Sequence, residues 1–144
     1  MITVADFMSR QLVTVKEGDD LALAESILRL GGIRHLPVVR EGKLVGLLTQ
    51  RDLLRSGASG GGPGARAVAA RDIMTRDVTT VAPETSLAHA AHLMLRHKYG
   101  CLPVCGPEGA LLGIITESDF VRFAADVVED LDLVHDAVSA RGSA

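Results

Sequence analysis

The sequence predicts an α+β protein assembled from one βαββα unit used twice. The first observation is an internal repeat. An offset of 66 carries Asp6, Met8, Arg10, Thr14 and Val15 onto Asp72, Met74, Arg76, Thr80 and Val81, and Leu36-Pro37-Val38 onto Leu102-Pro103-Val104. After one inserted residue, an offset of 67 matches Gly42, Leu44, Gly46, Thr49 and Asp52 to Gly109, Leu111, Gly113, Thr116 and Asp119. Register held over so many positions is a tandem duplication. The second observation is that apolar spacing switches between strand and helix at the same places in both copies. The third is composition: 47% of the 144 residues are hydrophobic, enough for a core. Aromatics are 3% and Trp is absent, so Val, Leu, Ile and Ala must build that core.

Taken in order, each copy opens with an extended segment, "LVTV" or "VTTV", and breaks at "KEGDD" or "APETS". A helix follows, with Leu21, Ala24 and Leu28, or Leu87, Ala90 and Met94, on one face. Asp19 or Asp20, and Thr85 or Ser86, are its candidate N-caps. Next comes a strand, "HLPVV" or "CLPVC", whose Pro37 or Pro103 cannot donate to a ladder and is expected at a strand start or edge. The turn "REGK" or "GPEGA" leads into "LVGLLT" or "LLGIIT", and a helix after Thr49 or Thr116 closes the unit. A unit of about 55 residues buries too little surface to stand alone, so the two are expected to pack together. The domains expected are 1–55 and 67–125. The Gly-rich segment 56–66 reads as a linker, since it lacks the Lys and the strand-to-helix setting of a phosphate loop. In the tail, 126–144, Val127, Leu131 and Val134 fall at helical spacing. It reads as a short acidic amphipathic helix with a frayed end, or an extension of the helix before it, that packs on a partner subunit.

Several function classes are disfavoured. A net charge of −3 argues against a nucleic-acid partner held through its phosphates. The N-terminus shows no signal-peptide pattern and no apolar run reaches about 18 residues, so no membrane span and a cytoplasmic site are expected. Cys101 and Cys105 form C-x-x-x-C on one strand, too far apart for a disulfide and without a second pair for zinc, so they read as buried thiols. His89 and His92 share a helical face, but His97 lies off it and no third ligand is evident, so no metal site is expected. No nucleophile-and-base spacing suggests catalysis.

The motif that asks for chemistry is Thr-x-x-Asp, present as Thr49/Asp52 and Thr116/Asp119. It fits a capping box, in which each side chain satisfies an orphan backbone donor. It also fits a ligand site: a helix N-terminus after a strand suits phosphate, and a carboxylate there can accept from two ribose hydroxyls. The sequence leaves both open.

With its D-x-M-[ST] opening, L-P-V strand, G-x-(L/I)-x-G-x-(L/I)-T run and closing T-x-x-D, each present twice, the chain resembles a tandem pair of CBS domains, or Bateman module, from about Thr3 to Ala125. The resemblance implies two units packed sheet to sheet about a pseudo-twofold axis, and a regulatory module without chemistry of its own or a cofactor. It implies two related clefts for adenosine nucleotides, such as AMP, ADP, ATP or S-adenosylmethionine. It assigns the ribose contact to Asp52 and Asp119, and places Thr49 and Thr116 near the phosphates. For the base it points to Val13, Ile33 and Arg34 in one copy and to Thr79, Tyr99 and Gly100 in the other. His35 and the aligned Cys101 stand beside those clefts. A homodimer and a separate effector protein are its implied partners. The alternative is a scaffold in which Thr-x-x-Asp only caps helices.

Overall fold

The computed structural model describes residues 1–56 and 68–142. The first copy contains β1 (Val15–Lys16), α1 (Leu21–Gly31), β2 (His35–Arg40), β3 (Lys43–Thr49) and α2 (Gln50–Ser56). The second begins with a short α3 (Ala70–Ile73) and continues with α4 (Leu87–His97), β4 (Cys101–Cys105), β5 (Leu111–Thr116) and α5 (Glu117–Gly142). In the first sheet β1 pairs parallel with β2, and β2 antiparallel with β3. In the second, β4 pairs antiparallel with β5, and a parallel bridge from Val81 to Val104 replaces the first strand. Of the linker expected over 56–66, only Ser56 lies within the described residues, as the last residue of α2.

Local chemistry explains the element ends. Asp20 accepts from the Ala22 amide at 2.7 Å to start α1, and Ser86 accepts from the His89 amide at 3.1 Å to start α4. The neighbouring candidates, Asp19 and Thr85, accept from Lys16 and Ala82 in the turns just before. α1 ends on Gly32 at φ 60°, whose amide reaches the Leu28 carbonyl. Lys98 takes the same left-handed role for α4 at φ 57°, where a side chain costs about 1 kcal/mol.

Pro37 and Pro103 do not lie at strand starts. Each is the third residue of its strand, β2 or β4, and Pro37 sits in the middle strand of its sheet. Val81 donates to the Pro103 carbonyl at 3.1 Å. The N and O of one strand residue face the same side, so the missing proline N–H also faces this barely formed edge. There the strand loses little.

The two copies exchange their opening segments. Val4 and Met8 are buried with Leu87, Ala90, Leu102 and Ile115 of the second copy, whereas Ala70 and Met74 are buried with Leu21, Ala24, Leu36 and Leu48 of the first. Paired backbone bonds fix the exchange: Ser9 with Ile114 at 2.9 and 3.0 Å, and Thr75 with Leu47 at 2.9 Å in both directions. These bonds map onto each other under the repeat, so the two βαββα units are related by pseudo-twofold symmetry, as expected. A glycine under each crossing permits it. A Cβ on Gly113 would lie 2.6 Å from Met8 Sδ and 2.9 Å from the Ser9 carbonyl oxygen, and one on Gly46 would overlap Met74.

The tail is not a separate short helix. α5 runs without interruption from Glu117 to Gly142, about 39 Å at 1.5 Å per residue, and every residue from 124 to 142 is exposed.

Candidate ligand-binding cleft

Both Thr-x-x-Asp motifs cap helices. The Thr49 amide donates to Asp52 Oδ2 at 2.9 Å, and the Asp52 amide donates back to Thr49 Oγ1 at 3.2 Å. The Thr116 amide donates to Asp119 Oδ2 at 2.8 Å, and the Thr116 hydroxyl to the same oxygen at 3.3 Å. Capping therefore occupies one oxygen of each carboxylate. Among the described residues, the other oxygen of Asp119 has only a 3.4 Å contact with the Arg122 guanidinium at the exposed edge. Capping and ligand binding do not exclude each other here.

A cleft of about 450 Å³ lies between the units. It brings Val13, Ile33, Arg34 and His35 of the first copy together with Gly100, Thr116 and Asp119 of the second. The site is thus composite: the apolar and cationic groups of one copy face the Thr-Asp motif of the other. The N-terminus of α5 opens into it through Glu117 and Ser118, and Ser9 arrives with the exchanged opening segment. Ser9, Glu117 and Ser118 had no individual signal in the sequence. Their places follow from the last residue of D-x-M-[ST] and from the first helical turn after Thr116.

The remaining candidates lie elsewhere. Thr49 and Asp52 stand at the start of α2, outside this cleft. The pseudo-twofold axis sets them opposite Thr79 and Tyr99. Thr79 Oγ1 donates to the Tyr99 hydroxyl at 3.0 Å, and the Tyr99 ring stacks on His97 at 5.2 Å. These two residues, equivalent to Val13 and Ile33 under the repeat, are hydrogen-bonded to each other there. Cys101 is not a lining residue; its side chain is buried, and burial pushes its thiol up to about 12, which leaves it unreactive.

His35 lines the cleft where the two units meet. Its ring lies where a side chain at position 100 would have to go: a Cβ on Gly100 would be 2.7 Å from His35 Cε1. Burial holds its pKa below the usual histidine range, against the pull of Glu117, and Arg34 lowers it further. Among the described residues its buried Nδ1 has no hydrogen-bond partner. The Arg34 guanidinium and the helix N-terminus favour an anionic group on the ligand, to which the neutral imidazole can offer only an ordinary hydrogen bond. Val13 and Ile33 favour a flat apolar one.

The family model described as the CBS domain matches residues 4–59 and 70–126. The fold is similar to the CBS-pair protein CBSX2 of Arabidopsis thaliana in complex with AMP, with a TM-score of 0.76 and 30% identity over 88% of this chain and 98% of that one. It is equally similar to the CBS domain pair of protein MJ0100 in complex with 5-methylthioadenosine and S-adenosyl-L-methionine, at a TM-score of 0.76 and 29% identity, covering 88% and 98% of the two chains. Among curated relatives, the homoserine O-acetyltransferase of Methanococcoides burtonii is 36% identical over 121 residues, 83% of this chain. The chain spans only 24% of that enzyme's length.

Proposed function

This chain belongs to the CBS domain family, and from that premise we propose that it is a regulatory module that senses an adenosine nucleotide and does no chemistry. The observation that carries this reading is the composite cleft, in which the Thr116-Asp119 motif of one unit faces Val13, Ile33, Arg34 and His35 of the other. In this reading the adenine lies against Val13 and Ile33, and Asp119 Oδ1, which the cap leaves to a 3.4 Å contact with Arg122, accepts from the ribose hydroxyls. A phosphate, or the carboxylate of S-adenosylmethionine, meets Arg34 and the N-terminus of α5. The adenosine ligands of the similar CBS pairs support the ligand class. The signal passes to a separate effector protein, and the compartment is the cytoplasm. No helix among the described residues is long and apolar enough to cross a membrane.

The test is a thermal-shift titration of ligand-free protein with AMP, ATP, adenosine and S-adenosylmethionine. A ligand at 100 times its dissociation constant adds about 2.7 kcal/mol, which shifts melting by roughly 5–10 °C at this size. Asp119→Ala should abolish most of that shift for the composite cleft and lower the ligand-free melting point only slightly, since one cap is worth about 1 kcal/mol. If the variant melts lower but binds as before, the carboxylate only caps and the scaffold reading stands.

A further inference from the structure

We propose that Tyr99 decides what the first copy's Thr-x-x-Asp motif can hold: bonded to Thr79, it shuts a nucleotide base out of the place beside Thr49 and Asp52. The inference rests on the adenosine reading above and adds a specificity-determining residue to it. Under the repeat, Thr79 and Tyr99 occupy the positions of Val13 and Ile33, which line the composite cleft with Thr116 and Asp119. By the pseudo-twofold relation they flank the counterpart of the base position, over Thr49 and Asp52. Thr79 Oγ1 donates to the Tyr99 hydroxyl at 3.0 Å. A flat ring held between two side chains needs about 3.5 Å on each face, or roughly 7 Å between the atoms that flank it. The bonded hydroxyls leave less than half of that. A base cannot lie between them while the bond stands.

The closure belongs to this copy alone. Val13 and Ile33 carry no hydrogen-bonding group in their side chains, so the composite cleft cannot be shut by the same bond. Tyr99 is also held from its own side. Its amide donates to the Met94 carbonyl at 3.1 Å, just beyond the left-handed Lys98 that ends α4. Its ring stacks on His97, with centroids 5.2 Å apart and 21° between the planes, and packs against the second core cluster. A base therefore enters only by breaking the bond to Thr79. Losing one partly buried neutral hydrogen bond weakens a competing ligand roughly two- to tenfold. Once the bond is broken, the tyrosine face offers a base a stacking surface that Ile33 lacks. A base bound there touches Tyr99 directly, whereas Tyr99 does not line the composite cleft.

Tyr99 is the chain's only tyrosine, so tyrosine labelled in its ring gives an NMR signal that reports this residue alone. The full chain, freed of ligand, is titrated with AMP by calorimetry and by that signal. In the wild type the tighter binding phase should leave the Tyr99 signal in place. The weaker phase should shift it through the ring current of the base. Thr79→Val keeps the shape and removes the hydroxyl; it should tighten the weaker phase about two- to tenfold and leave the tighter one unchanged. Tyr99→Phe breaks the bond from the other side and should tighten the same phase in calorimetry. Each variant is first shown to melt cooperatively. A tighter phase that moves the Tyr99 signal overturns the proposal. So do variants that melt lower and bind as the wild type does, since the bond then only ties the segment before Val81 to the end of α4; the adenosine reading survives that result. If neither the wild type nor the variants bind AMP, the adenosine reading falls and this inference falls with it.

Discussion

His35 stands where the two units cross, and its environment makes its charge a property of the fold. Burial lowers its pKa from the ordinary histidine value, and the unfolded chain regains that value near 6.5. As pH falls through that value, the unfolded state takes up a proton that the folded state refuses. The stability contributed by neutral His35 is therefore complete above about pH 6.5 and declines as pH falls toward its folded pKa. Wild-type protein should lose melting temperature between pH 7.5 and 5.5, and His35→Gln, which keeps a polar ring-sized group beside Gly100, should lose less. An identical pH profile for the two proteins would show that the imidazole stays hydrated.

At the scale of elements, the exchange of opening segments rests on close contact between backbones at Gly46 and Gly113. The Ser9 carbonyl oxygen is fixed by its bond from the Ile114 amide and cannot retreat from a Cβ placed 2.9 Å away, whereas the Met8 side chain can turn aside. Gly113→Ala should thus cost about 1–3 kcal/mol as overpacking and loosen the first ten residues. It is measured as faster hydrogen exchange at the Ile114 amide and faster trypsin cleavage after Arg10. Unchanged exchange would mean that the segment is held by Val4 and Met8 alone. The elements themselves were legible in the sequence, because Leu21, Ala24 and Leu28 and their copies are a local pattern. The exchange was not. Val4 and Met8 have the same apolar character whichever unit they join, and only three-dimensional closure decides. For the same reason the sequence did not say which motif shares a cleft with which base-side residues; in the fold Asp119 lines one cleft with Arg34. The length of α5 was open in the sequence for a different reason: no Gly or Pro breaks the run from Glu117 to Arg141, and exposed helices leave no burial signal.

For the whole molecule, the duplication sets two related Thr-x-x-Asp motifs about the pseudo-twofold axis in unequal surroundings. The pseudo-twofold axis sets Arg34 and His35 against Gly100 and Cys101, so the first copy contributes a permanent cation and a titratable ring where the second contributes neither. The second copy instead has Thr79 and Tyr99 bonded to each other at the positions equivalent to Val13 and Ile33, and Lys98 held in a left-handed cap nearby. A phosphate in the composite cleft can take paired charge-assisted bonds from Arg34, whereas neutral adenosine cannot. Titration calorimetry should therefore resolve two classes of site in the wild type. Arg34→Ala should weaken ATP most, by about 1.5–3 kcal/mol or roughly 10–100-fold, AMP less, and adenosine least. Equal losses for the three ligands, or two indistinguishable sites in the wild type, would mean that Arg34 shapes the cleft without reading the phosphate.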